Sequence, residues 1–148
     1  MKQEPIRIER TFHAPVSKVW QALTNPLEMK KWYFDLPDFK AEKGAKFQFY
    51  GGPSPEKQYL HLCVVTEVEY EKKITYSWRY DGYPGNSFVT FNLTKNGDNT
   101  TLHLIHSDIE TFAEDNPDFA KSNFVEGWTA IVHTSLKNYL EGASNQTI

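Results

Sequence analysis

Along Ile6–Phe12 (IRIERTF) polarity alternates, with Ile6, Ile8, Arg10 and Phe12 on one face and Arg7, Glu9 and Thr11 on the other. That two-residue period predicts a strand with one buried side. At Pro15 the period lengthens: proline suits a first helical turn, where its missing N–H costs nothing, and Val16, Val19, Trp20 and Leu23 follow at helical spacing. A short amphipathic helix is expected over 15–24. Asn25, Pro26 and Glu28 repeat a helix-start signal, a cap followed by proline and an acid, so a second, shorter helix should run to about Trp32. From Asp35 to Thr111 apolar residues recur every second position, the mark of an antiparallel meander. Its segments are a short Phe39–Ala41 piece, then Ala45–Tyr50, Tyr59–Glu69, Ile74–Tyr80, Ser87–Lys95 and Thr100–Ser107. Turns are expected at Glu42-Lys43-Gly44, Gly51-Gly52-Pro53, Glu71-Lys72-Lys73, Asp81-Gly82 with Pro84-Gly85, and Asn96-Gly97-Asp98, the last being the strongest hairpin signal. After Asp108 the stripe Phe124, Trp128, Ile131, Val132, Ser135, Leu136, Tyr139 predicts one long helix over Pro117–Glu141, stopped at Gly142. Ala143–Ile148 reads as a frayed tail.

One strand, two short helices, a meander and a closing helix make an α+β fold in a single domain over residues 1–148. The arrangement expected is a helix-grip: a curved antiparallel sheet of about six or seven strands wrapped around a long C-terminal helix. Phe12-His13-Ala14-Pro15, Val19-Trp20-Gln21-Ala22-Leu23 and Trp32-Tyr33, then VEYEKKITYSW over Val68–Trp78, TTLHLIHS over Thr100–Ser107, and Gly127-Trp128 occur in that order. Together they resemble the family named after the activator of the heat-shock protein 90 ATPase, across nearly the whole chain. Two positions depart from that pattern, Tyr70-Glu71 in place of a proline pair and Asn99-Thr100-Thr101 in place of Gly-Thr, and both fall in turns. The resemblance implies membership of the START-like, or Bet v 1-like, superfamily, and with it a cavity between the closing helix and the sheet. It fixes architecture better than reaction.

Composition changes this picture at one point. Aromatic residues make up 15% of the chain, as 10 Phe, 8 Tyr and 4 Trp, enough both to fill a core and to wall a cavity. With 16 basic against 19 acidic residues and no basic run, the chain is not built to track nucleic-acid phosphates. No eighteen-residue apolar run exists to span a membrane, and a cytoplasmic location is the expectation. Cys63 is the single cysteine, so an internal disulfide and a cysteine-based zinc cage are excluded. Nucleophile-elbow, phosphate-loop and dinucleotide motifs are missing from the sequence, and no metal or other cofactor is expected.

The expected ligand site is aromatic: Trp32, Phe47, Phe49, Tyr76, Trp78, Phe91 and Trp128, all on inward faces or at the mouth of the cavity, with His106 as the polar member. His106 shares its strand face with Leu102 and Leu104, where an imidazole either orients a ligand or is satisfied by a neighbouring hydroxyl or backbone group. His103 falls on the opposite face, so the two histidines cannot share a metal. His61 and Cys63 share a face, read here as the outer one. The acids Glu110, Glu114, Asp115 and Asp118 read as solvated charge ahead of the closing helix. The expectation is a binding module for a small apolar or aromatic molecule, with no catalytic residues. The wider superfamily implies an alternative, a cyclase or aromatase using His106 and a tyrosine such as Tyr76 as acid and base. The family name implies another, a co-chaperone-like protein-interaction module; beside the small ligand, the partners expected are a chaperone contact or a weak homodimer.

Overall fold

The computed structural model describes residues 4–36, 39–112 and 116–142. Strand β1 (Ile6–Phe12) leads into helices α1 (Val16–Thr24) and α2 (Pro26–Trp32), and the meander follows as β2 (Lys46–Ser54), β3 (Lys57–Glu69), β4 (Lys73–Tyr80), β5 (Ser87–Asn96) and β6 (Asn99–Ser107). All pairings are antiparallel, in the spatial order β1-β6-β5-β4-β3-β2. The first strand thus closes against the last, and β1 and β2 form the two edges. Asn25 caps α2 as its sequence suggests, its side chain accepting the Leu27 N–H at 3.0 Å. Gly97 takes a φ of +63° in the two-residue β5–β6 turn, a conformation glycine adopts without steric cost.

Three sequence expectations are corrected. Phe39–Ala41 is not a strand: the segment pairs with nothing, and Phe39 instead plugs the edge of the core, edge-on to Phe47 at 5.0 Å. Gly51-Gly52 does not turn the chain, because β2 runs on through a register shift to Ser54, which pairs with Lys57, so the turn lies at Pro55-Glu56. A Cβ on Gly52 would overlap the Lys57 carbonyl oxygen, so glycine is required here for close backbone approach. Finally, His61 and Cys63 face inward, with 7% and 2% exposure. The cause is a register shift between Val65 and Glu67 that reverses the alternation within β3. Val65 and Val68 therefore both serve the core although they differ in parity, and phase carried back from Val68 puts His61 on the wrong side.

The closing helix is not one uniform α-helix. A 3-10 turn at Pro117–Phe119 precedes α3 (Lys121–Ala130), and the chain then widens into π-helical segments at Ile131–Leu136 and Asn138–Gly142. Buried positions explain the change of winding: Phe124, Trp128, Val132, Leu136 and Leu140 fall at every fourth residue. In a pure α-helix that spacing would drift by about 40° per step around the axis. The wider turns take up the drift and keep all five side chains on the sheet. The tail Ala143–Ile148, with Glu114 and Asp115, lies outside the described residues.

Candidate functional site

Inward alternation on β3 and β4 brings Tyr59, His61, Trp78 and Tyr80 to one end of the concave sheet face. The 3-10 turn and α3 set Phe119, Phe124 and Trp128 opposite them, and Phe34, just after α2, closes one side. Between these layers is a cleft of about 360 Å3. Its rings pack on one another and on the core behind them: Trp78 and Trp128 lie 5.4 Å apart, Tyr80 stacks on Phe119 at 4.5 Å, and Phe34 stacks at 4.2 Å on Phe49, which lies behind the lining. Gly127 borders the cleft and leaves open space where a side chain would stand.

The polar groups gather at the end nearest Tyr59. Its hydroxyl donates to Asp118 Oδ2 at 2.6 Å, and Lys57 Nζ reaches the same oxygen at 2.8 Å. Hydrogen bonds from Lys57 and Tyr59 hold the Asp118 carboxyl below the usual carboxylate range, and the same carboxylate raises the Lys57 and Tyr59 pKa values. His61 is stacked on Phe49 at 4.4 Å and stands edge-on to Trp78 and Tyr80. Its Nδ1 lies 3.0 Å from the Tyr59 carbonyl, which can only accept, so Nδ1 carries the proton and Nε2 is left as an acceptor. Burial lowers its pKa to about 4, against the smaller opposing effect of the Tyr59 and Phe49 carbonyls. The imidazole is neutral at physiological pH.

His106 sits behind the wall of the cleft and does not line it. Trp128 donates its indole N–H to His106 Nδ1 at 2.9 Å, which places the imidazole proton on Nε2. That proton goes to Ser87 Oγ at 2.8 Å, and the Ser87 hydroxyl in turn donates to the Trp78 carbonyl at 2.8 Å. Each donor in this relay has one acceptor, so the tautomer is fixed and the buried polar atoms are satisfied. Burial pulls the His106 pKa down to about 3. The relay braces two cleft residues at once, the indole of Trp128 and the backbone at Trp78.

Of the residues expected at the ligand site, Trp78 and Trp128 line this cleft. The others stand elsewhere in the core. Trp32 donates its indole N–H to the Ala22 carbonyl at 2.9 Å inside the helical corner. Tyr76 shares a 2.7 Å hydrogen bond with Tyr33, and burial pushes both hydroxyls up in pKa. Phe47 stands edge-on to Tyr76, Phe91 packs under Trp128, and Phe49 backs His61. The cleft is also lined by Phe34, Tyr59, His61, Tyr80 and Phe119, which sequence reasoning did not place there. Tyr80 was legible from its phase with Tyr76 and Trp78, whereas Tyr59 and His61 were hidden by the register shift in β3. Asp118, read as solvated charge, stands at the rim of the cleft. Among the described residues no group of three His, Cys, Asp or Glu could hold a metal ion, and no helix is long and apolar enough to cross a membrane.

A six-stranded antiparallel sheet gripping a closing helix, with two short helices after the first strand, defines an α+β helix-grip domain. The chain belongs to the family described as Activator of Hsp90 ATPase homolog 1-like protein, whose model matches residues 13–141. No curated protein matches it. Among solved structures it is similar to MLL2253 from Mesorhizobium loti, with 26% identity, coverage of 93% of this chain and 97% of that one, and a TM-score of 0.73. BH1534 from Bacillus halodurans is similar at 27% identity, 95% and 99% coverage and a TM-score of 0.72. DynU16, from the dynemicin biosynthetic locus, shares the fold at 24% identity and a TM-score of 0.75; the match covers 94% of this chain, which spans about half (48%) of DynU16.

Proposed function

We propose that the protein is a binding module that holds a small apolar or aromatic molecule in the cleft between the closing helix and the sheet, without catalysing its conversion. The observation that carries this reading is the cleft itself, about 360 Å3 in volume and walled by aromatic rings from both layers. Concave, largely apolar sites with a few placed polar groups are where small molecules bind. The family's helix-grip architecture is consistent with it. The two histidines nearest the cleft are poorly suited to acid–base work, since burial holds His61 and His106 neutral, with pKa values near 4 and 3.

N-Phenyl-1-naphthylamine, a neutral dye that brightens in apolar surroundings, tests the reading. Its fluorescence should saturate at one dye per chain, and native mass spectrometry of freshly purified protein should find a retained small molecule. Gly127→Leu should abolish dye binding while the variant still unfolds cooperatively, because position 127 opens onto the cleft and a helix favours leucine over glycine. Dye binding that never saturates, or that Gly127→Leu leaves unchanged, defeats the proposal.

A further inference from the structure

We infer that the cleft selects neutral hydroxylated aromatic molecules of the phenol type and discriminates against aromatic carboxylic acids of the same shape. This rests on reading the cleft as a ligand site and goes on to name the chemistry of its occupant. Both indole N–H groups that could serve a ligand acceptor are turned into the protein: Trp78 Nε1 donates to the Tyr80 hydroxyl at 2.9 Å, and Trp128 Nε1 to His106. Asn123 commits one N–H of its side-chain amide to the Pro117 carbonyl at 2.6 Å. At the polar end the Tyr59 proton is already given to Asp118. The polar groups of the lining that are left over for a ligand are therefore mostly acceptors: Asp118 Oδ1, which has no hydrogen-bond partner among the described residues, and His61 Nε2, left unprotonated by the Nδ1 bond to Tyr59.

Tyr80 completes the pattern. Its oxygen accepts from Trp78, so its own proton remains to be given. A ligand hydroxyl can donate to Asp118 or His61 and accept from Tyr80, whereas an ether can only accept. A carboxylate brings no proton and meets the charge of Asp118, with no lysine or arginine among the residues that line the cleft and Lys57, at its rim, already paired with that same acid. A desolvated acceptor left without a donor is the kind of mismatch by which polar sites reject near-isosteres.

Three probes of one ring system separate the cases by isothermal titration at neutral pH: 2-naphthol, 2-methoxynaphthalene and 2-naphthoate. The naphthol should bind about five- to tenfold more tightly than the methyl ether, the equivalent of one net hydrogen bond. Naphthoate should be weaker than the naphthol by more than about tenfold. Asp118→Asn removes the charge and supplies an N–H, so the preference for naphthol over naphthoate should shrink by about tenfold or more. Asp118 is half-buried at the rim of the cleft, and cooperative unfolding of the variant confirms that it still folds. Equal binding of naphthol and its methyl ether, tighter binding of naphthoate, or an unchanged preference in Asp118→Asn overturns this inference while leaving the cleft a binding site. Failure of all three probes to bind at about 1 mM overturns both.

Discussion

Replacing His106 by leucine removes the centre of the relay behind the cleft, and its cost can be worked out from the bonds that end there. Trp128 Nε1–H, in a side chain only 3% exposed, would lose its acceptor, and Ser87 would lose a donor. A buried donor left unsatisfied costs about 1–3 kcal/mol and a lost neutral hydrogen bond about 1 kcal/mol, so the variant should be about 2–4 kcal/mol less stable at pH 7. The pH dependence provides the sharper check. His106 has a folded pKa of about 3 against an ordinary value of 6.5. Below pH 6.5 the unfolded chain takes up a proton that the folded chain refuses, so wild-type stability falls with pH until about pH 3. At pH 4 the loss from this histidine is about 3 kcal/mol, at 1.36 kcal/mol per pH unit below the unfolded value. Leucine carries no such penalty. Urea unfolding at pH 7, 5.5 and 4 should therefore show the difference between the proteins shrinking from about 2–4 kcal/mol towards zero. A difference that stays constant across that range would mean that His106 protonates freely in the folded protein and that the relay does not hold it neutral.

Other expectations follow from single positions. Trp128→Ala should cost about 3–5 kcal/mol in denaturant unfolding, as burial of the ring dictates, and should also weaken dye binding in the cleft. Gly52→Ala should destabilise by more than about 1 kcal/mol, because its Cβ would overlap the Lys57 carbonyl, whereas Gly127→Ala, in open space on α3, should stabilise by up to about 1 kcal/mol; thermal unfolding separates them. Cys63 is 2% exposed and burial pushes its thiol pKa up, so a thiol reagent at pH 8 should label it only as fast as the chain opens, and prompt labelling of the native protein would contradict its position.

Local sequence was enough wherever a short-range rule determines the outcome. The alternation of IRIERTF placed β1, Asn25-Pro26 started α2, Gly97 turned the last hairpin, and the order of elements implied the helix-grip before any contact was seen. Those features depend on steric, capping and periodic preferences carried by a few neighbouring residues. Tertiary structure alone decided the site. A one-residue shift in β3 turned Tyr59 and His61 into the cleft, and nothing in the alternation marks where such a bulge falls. The closing helix changed its winding because the curved sheet required a contact every fourth residue, a constraint imposed from outside the helix. His106 could be recognised in the sequence as a polar group among apolar neighbours, but its partners Ser87 and Trp128 lie 19 and 22 residues away. Whether it met a ligand or a serine depended on which side chains the folded layers brought to its two nitrogens, and that is a property of packing between elements.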